Sequence, residues 1–234
     1  MSLENWAIIP AAGVGKRMRS SIPKQYLAIN GRTVLDHTIG RLLAHEQIRG
    51  VVVALSAEDE WWPQSVFAQT PNVLVAEGGK ERCHSVLNAL NLLSGYDNAD
   101  LQVLVHDAAR PCVRMEDVSR LIEIASQSDH GALLGMPVRD TMKRTDKHAA
   151  VTSTVDREHL WHAFTPQMFR LSLLKNALQS ALDNHQLVTD DASAMELSGY
   201  KPVMVESAAD NIKITRPEDL SLAAYYLAGQ DAQV

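Results

Sequence analysis

Residues 6–18 constrain this chain more than any other stretch. An apolar run, Trp6-Ala7-Ile8-Ile9, leads straight into Pro10-Ala11-Ala12-Gly13-Val14-Gly15-Lys16-Arg17-Met18. The run reads as a buried strand. A small-residue loop followed by cations lets backbone N–H groups and side-chain charges close around a phosphate chain. Between Glu4 and Asp36 there is no acidic residue, whereas Lys16, Arg17, Arg19, Lys24 and Arg32 all fall there. The whole chain carries a net charge of −6, so these cations mark a local anion site rather than general basicity. Taken alone, the loop also fits a plain tight turn beside a solvated face. Two familiar phosphate loops are excluded by spacing. A P-loop needs Ser or Thr after Gly-Lys, and Arg17 stands there. A dinucleotide fingerprint needs a third small residue where Met18 stands.

A chain of 234 residues suits one α/β domain, spanning 1–234, better than two. Its acidic balance argues against nucleic acid as the main partner. No run of 18 apolar residues predicts a membrane span, and Met1–Asn5 lacks the basic start of a secretory signal. Cys83 and Cys112 have neither metal-like nor redox-like spacing, so free thiols in a reducing cytoplasm are expected.

Strands and helices alternate. Strands are expected at Trp6–Ile9, Val51–Leu55, Val73–Ala76 and Leu101–Val105, with helices at Val34–His45, Arg82–Leu93 and Val118–Ala125. Thr33 is the expected cap of the first helix. This order implies right-handed crossovers and a Rossmann-like, mainly parallel sheet with helices on both faces. Ligands of such sheets lie beyond the carboxyl ends of the strands. That rule gathers Gly13, Gly79 and the residues after Val105 at one rim. From about 137 to 160, charged and β-branched residues mix without a helical stripe, which predicts an extended β-arm. Later, Thr189 is the expected cap of a helix ended by Gly199, and Thr215 and Glu218 have capping-box spacing.

Asp107, in Val105-His106-Asp107-Ala108-Ala109-Arg110-Pro111, follows a strand at that rim and suits Mg²⁺ beside phosphates. An Asp that caps the next turn is the alternative. Arg82 and Ser85 could approach a base or ribose, or simply start a helix. Lys213 is expected in a strand near the rim, where it reaches phosphate or stays a solvated edge residue. His159 and His162 lack a third ligand at zinc spacing. Trp161 and the Trp61-Trp62 pair read as packing.

These segments, with Pro23-Lys24-Gln25-Tyr26, Arg139-Asp140-Thr141, Asp156-Arg157, Leu160-Trp161, Thr165-Pro166-Gln167 and Asp210-Asn211-Ile212-Lys213-Ile214-Thr215, occur in order along nearly the whole chain. Together they resemble the 2-C-methyl-D-erythritol 4-phosphate cytidylyltransferases of non-mevalonate isoprenoid synthesis. The resemblance implies CTP and methylerythritol phosphate as substrates, Mg²⁺ as cofactor, and a homodimer whose arm serves the neighbouring site. It implies nucleotide contacts at Ala11, Ala12, Gly13, Gly79 and Ser85, and metal binding at Asp107. Catalysis falls to Arg17, Lys24 and Lys213. Substrate contacts fall to Thr141, Arg157 and Thr165. Lys80 stands where some similar enzymes carry an acid. The chemistry agrees, because an ionised phosphate nucleophile needs charge neutralisation but no general base. A cytidylyltransferase for another polyol phosphate is the runner-up. An NAD-dependent oxidoreductase and a non-catalytic nucleotide-binding regulator are the rivals from other classes.

Overall fold

The computed structural model describes residues 5–13, 22–95 and 101–232. Among them, the core strands are β1 (Asn5–Pro10), β4 (Ile48–Leu55), β5 (Val73–Glu77), β6 (Gln102–Val105), β7 (Ala132–Pro137), β10 (Trp161–Arg170) and β11 (Val203–Glu206). They form one sheet in the order β11-β7-β10-β6-β1-β4-β5. Neighbours pair in parallel except at β10, which runs antiparallel to both β6 and β7. The two short strands β2 (Ala28–Ile29) and β3 (Arg32–Thr33) form a separate hairpin.

Strand β1 is apolar throughout because both its faces are covered. Trp6 and Ile8 pack into the core on one face, under α2 (Arg82–Leu93), α4 (Leu171–Asp183) and α5 (Asp191–Leu197). Ala7 and Ile9 point the other way, under α1 (Val34–Leu43) and α3 (Met115–Ser126). Side chains alternate across a strand, so two helical layers need two apolar registers in one short run. A third cluster joins α6 (Glu218–Asp231) to Ile29, Val34, Ala109, Cys112 and Ile214.

Helix starts follow local chemistry. Thr33 caps α1 by accepting the Asp36 N–H at 3.0 Å, as expected. Two other caps differ from expectation. Asp190, not Thr189, caps α5 in a reciprocal box with Ser193, which leaves Asp191 buried in the first turn. Before α6, Asp219 rather than Glu218 turns back, accepting from the Thr215 N–H and hydroxyl and the Arg216 N–H. Gly199 follows α5 at φ +87°, where a side chain would be strained. The segment around Lys213, expected as a strand, is irregular and joins no ladder; a bond from the Ile214 N–H to the Ala109 carbonyl at 2.8 Å is among those that pin it to the rim.

The predicted arm is a two-stranded hairpin, β8 (Met142–Thr145) and β9 (Val151–Val155), paired only with itself. Its strand residues are exposed except the half-buried Val155. No helix among the described residues is long and apolar enough to cross a membrane. Cys83 and Cys112 are free thiols, buried in different clusters.

Candidate active site

Parallel strands deliver their following loops to the same edge. Ala11–Gly13 leave β1, Gly79 follows β5, and Asp107 follows β6; together they line one cleft with Lys24, Gln25, Ser85 and Lys213. Small residues are required where these loops meet. A Cβ on Gly78 would stand 2.3 Å from the Ala12 Cβ, and one on Gly79 would stand 2.3 Å from the Cβ of His84. The Gly79 N–H donates to the Ser85 hydroxyl at 2.9 Å, so these two predicted nucleotide contacts are tied to each other.

Lys24 reaches the cleft from a 3-10 turn at Lys24–Tyr26. Gln25 anchors that turn by donating to the Ala11 carbonyl at 2.6 Å, while Tyr26 stacks on Trp61 and donates to Asp59 at 2.8 Å. Lys24 itself donates to the Ile214 carbonyl at 3.2 Å, which joins it to the segment of Lys213. Arg17 lies outside the described residues.

Asp107 sits at the centre of a charge cluster. Lys213 is 2.8 Å from Oδ2, Arg110 3.3 Å from Oδ2, and Arg82 3.3 Å from Oδ1. Burial by itself would raise the carboxyl, but Arg82, Lys213 and Arg110 outweigh it and hold it well below the usual carboxylate range. Arg82 also binds Asp191 at 2.8 Å, and the two carboxylates hold its guanidinium charged against its own desolvation. Of the two readings of Arg82, the helix start holds, since it is the first residue of α2, and from there its guanidinium turns onto two acids. The described lining of the cleft carries Lys24, Lys80, Arg82 and Lys213 against Glu81 and Asp107, an excess of positive charge suited to a polyphosphate.

Thr165 lies just behind this cluster, where the pairing of β10 with β7 is interrupted between Ala163 and Gln167. Its hydroxyl accepts the Asp107 N–H at 3.0 Å and meets His106 Nδ1 at 3.0 Å. His106 is fully buried, and that burial pushes its imidazole down to about 4. Its Nε2 faces the Arg110 carbonyl at 3.0 Å. A carbonyl only accepts, so Nε2 carries the proton and Nδ1 takes the Thr165 hydroxyl hydrogen.

Thr141 and Arg157 lie elsewhere. They line a shallow groove of the arm with Thr154, Val155 and Asp156, and Arg157 donates to the Arg139 carbonyl. The rim cleft of the same chain does not include them. His106, Arg110, Asn211 and Asp191 are polar residues of the site to which sequence reasoning assigned no role. His106, Arg110 and Asn211 stand inside quoted motifs, but only their buried pairing reveals what they do.

Two places offer metal donors among the described residues. Glu81, Cys83 and His84 bring one donor atom each within 4.8 Å of one another. Thiol and imidazole suit softer metals than Mg²⁺, and the positive end of α2 together with Lys80 and Arg82 disfavours a cation there. Asp107 offers an ionised, hard oxygen donor at the cleft wall, of the kind Mg²⁺ takes, with both of its oxygens paired to Lys213, Arg110 and Arg82 in this structure.

Fold and site together define a nucleotidyltransferase of the α/β class: a glycine-lined rim and converging lysines around one buried aspartate. The family model of IspD, 2-C-methyl-D-erythritol 4-phosphate cytidylyltransferase, matches residues 6–229, and the chain belongs to that family. It is 53% identical to the enzyme of that name from Aeromonas hydrophila over 227 residues, covering 97% of this chain and 91% of the relative. The counterpart from Vibrio parahaemolyticus is 52% identical over 222 residues, covering 95% of this chain and 94% of that protein. Among solved structures, the Francisella tularensis 2-C-methyl-D-erythritol 4-phosphate cytidylyltransferase aligns with a TM-score of 0.83 at 36% identity, covering 95% of this chain and 99% of that one. A crystal structure of 4-diphosphocytidyl-2C-methyl-D-erythritol synthase aligns at 0.82 with 37% identity, covering 96% and 99%.

Proposed function

We propose that the rim cleft transfers CMP from CTP to 2-C-methyl-D-erythritol 4-phosphate in one displacement, in isoprenoid biosynthesis. The observation that carries this reading is Asp107 held among Lys213, Arg110 and Arg82 beside the small-residue loops. A 4-phosphate oxygen attacks the α-phosphorus. The bond from that phosphorus to the β-bridging oxygen breaks, and the electron pair leaves with pyrophosphate. No proton has to be removed from the nucleophile, in keeping with a site built of cations. The backbone of Ala11–Gly13 and Gly79, with Ser85, receives the nucleotide. Lys24 and Lys213, with Arg17, neutralise the charge that develops on the phosphates. When bound, Mg²⁺ supplies further neutralisation of the triphosphate, and Asp107 is the residue that would hold it.

The chain works as one nucleotidyltransferase unit in a homodimer, with the arm of one subunit bringing Thr141 and Arg157 to the partner's cleft. What supports this is an exposed hairpin, with Val151 62% exposed, flanked by both residues at its base and apart from the cleft of its own chain. Two buried free thiols suit a reducing cytoplasm.

The test is pyrophosphate release, with each nucleoside triphosphate against a panel of polyol phosphates. CTP with methylerythritol phosphate should be the fastest pair. Equal or faster turnover with ribitol 5-phosphate would move the assignment to another polyol phosphate.

A further inference from the structure

Four buried residues behind the cleft form a closed cycle of hydrogen bonds. His106 Nε2–H donates to the Arg110 carbonyl at 3.0 Å, and Arg110 Nη1 donates to the Asn211 carbonyl at 2.7 Å. Asn211 Nδ2 donates to the Thr165 carbonyl at 2.9 Å, and the Thr165 hydroxyl returns to His106 Nδ1 at 3.0 Å. Each member donates from its side chain, and every acceptor but His106 Nδ1 is a main-chain carbonyl, so the cycle fastens side chain to backbone at three of its four steps. Relative exposures are 0% for His106 and Asn211, 5% for Thr165 and 8% for Arg110, so water does not compete.

The cycle ties together three segments distant in sequence: the turn after β6, the irregular stretch of β10, and the loop segment of Lys213. Asp107 adjoins His106 and donates its own N–H to the Thr165 hydroxyl. Lys213 lies two residues beyond Asn211. The ring therefore clamps the two backbones that carry the 2.8 Å pair between Lys213 and Asp107. We infer that His106 is a positioning residue of the reaction, acting through the Thr165–Asn211–Arg110 ring to set Asp107 against Lys213.

This rests on the phosphoryl-transfer reading above, and it gives Thr165 a role through loop geometry rather than through substrate contact. His106→Leu and Thr165→Val each open the ring. Thermal midpoints establish that the variants are folded, and pyrophosphate release gives kcat and both KM values. Each variant should lose kcat on the order of a hundredfold, the cost of a small misplacement of catalytic groups. KM for CTP and for methylerythritol phosphate should stay within about twofold. His106→Gln, which keeps a donor for the Arg110 carbonyl, should recover part of kcat. The double variant should be no slower than the worse single one, because an open ring cannot be opened again.

Losses that multiply, a folded His106→Leu chain with kcat near wild type, or a rise confined to KM for methylerythritol phosphate would each overturn the inference. Should His106→Leu fail to fold, Thr165→Val is compared in the wild-type and His106→Gln backgrounds. It must cost less in the second, and equal cost overturns the ring. Wild-type turnover in the same assay separates the two claims. Without it the reaction itself fails; with it and with unaffected variants, only the ring does.

Discussion

The rim around Asp107 and the arm at 142–155 solve opposite problems with similar polar residues. At the rim, the carboxylates are buried and partnered within the chain: Asp107 touches Arg82, Arg110 and Lys213, and Asp191 takes the far side of Arg82. In the arm, Lys143, Arg144, Thr152 and Thr154 face solvent, and the hairpin ladder is its main support. Buried charges survive only when paired and hydrogen-bonded, so the rim is over-determined and unforgiving. Exposed charges need no partner, so the arm can change residues with little cost to its own fold. A difference of this kind predicts that rim substitutions cost both stability and turnover, whereas arm substitutions cost turnover alone.

The largest expected effect is at the centre of the rim. Asp107→Asn should abolish Mg²⁺-dependent turnover and also lower stability, by about 3 kcal/mol, the low end for breaking a buried ion pair. The low end applies because Lys213 is 39% and Arg82 28% exposed in their side chains. Denaturant unfolding beside a pyrophosphate assay measures both. Full stability with no turnover would mean the three cations do not need this carboxylate.

Lys213→Ala comes next. It should lower kcat on the order of a hundredfold, as for loss of one preorganised donor, and weaken CTP binding much less. Single-turnover kinetics with CTP titration decides this, and an unchanged kcat would remove Lys213 from catalysis.

Acid should reach the rim before the arm. His106 is held neutral, with its pKa lowered by burial from 6.5 to about 4. Below 6.5 the unfolded chain takes up this proton and the folded chain does not, so stability falls with pH. The loss accumulates from about 6.5 down to about 4 and amounts to about 3 kcal/mol for this one group. His45, also lowered by burial, adds in the same direction. The depressed carboxyl of Asp107 adds a further loss below the usual carboxylate range. Unfolding free energies from pH 7 to 4 should flatten in His106→Gln, and an unchanged slope would exclude His106 as the source.

A smaller effect distinguishes whose cleft the arm serves. Lys24→Ala and Arg157→Ala chains should each be inactive alone and recover roughly a quarter of wild-type activity when randomly paired in dimers. Half of the dimers are then mixed, and each mixed dimer has one intact site of two. No recovery in proven mixed dimers would return Arg157 to its own chain. The smallest effect is on folding: Arg157→Ala should change stability by no more than about 0.5 kcal/mol, as at other exposed positions. A larger loss by calorimetry would erase the contrast between the two regions.

Local signals made much of the architecture readable. The apolar runs at Trp6–Ile9, Val51–Leu55 and Leu101–Val105 read as strands, and Leu35, Ile39 and Leu42 recur at helical spacing because one stripe of α1 faces the core. The loops at Gly13 and Gly79 and the turn at Asp107 were placed at one rim by a topological rule, since parallel strands all point the same way. Caps were harder. Thr33 was legible as the one capping residue before its helix, whereas Asp190 and Asp219 each stand beside a second polar residue, Thr189 and Glu218, and the geometry of the turn chose between them.

Sequence by itself therefore determined what depends on near neighbours: the strands and helices, the small-residue loops, the concentration of cations before Asp36 and, through the ordered motifs, the family. Tertiary structure alone decided which polar groups meet. Arg82 and Asp191 are 109 residues apart in the chain, and Arg110 and Asn211 are 101 apart. No local period records such a pair. Their partnership is set by strand order and by the cost of leaving a buried charge or carbonyl unpaired, which exists only once the sheet has closed around them.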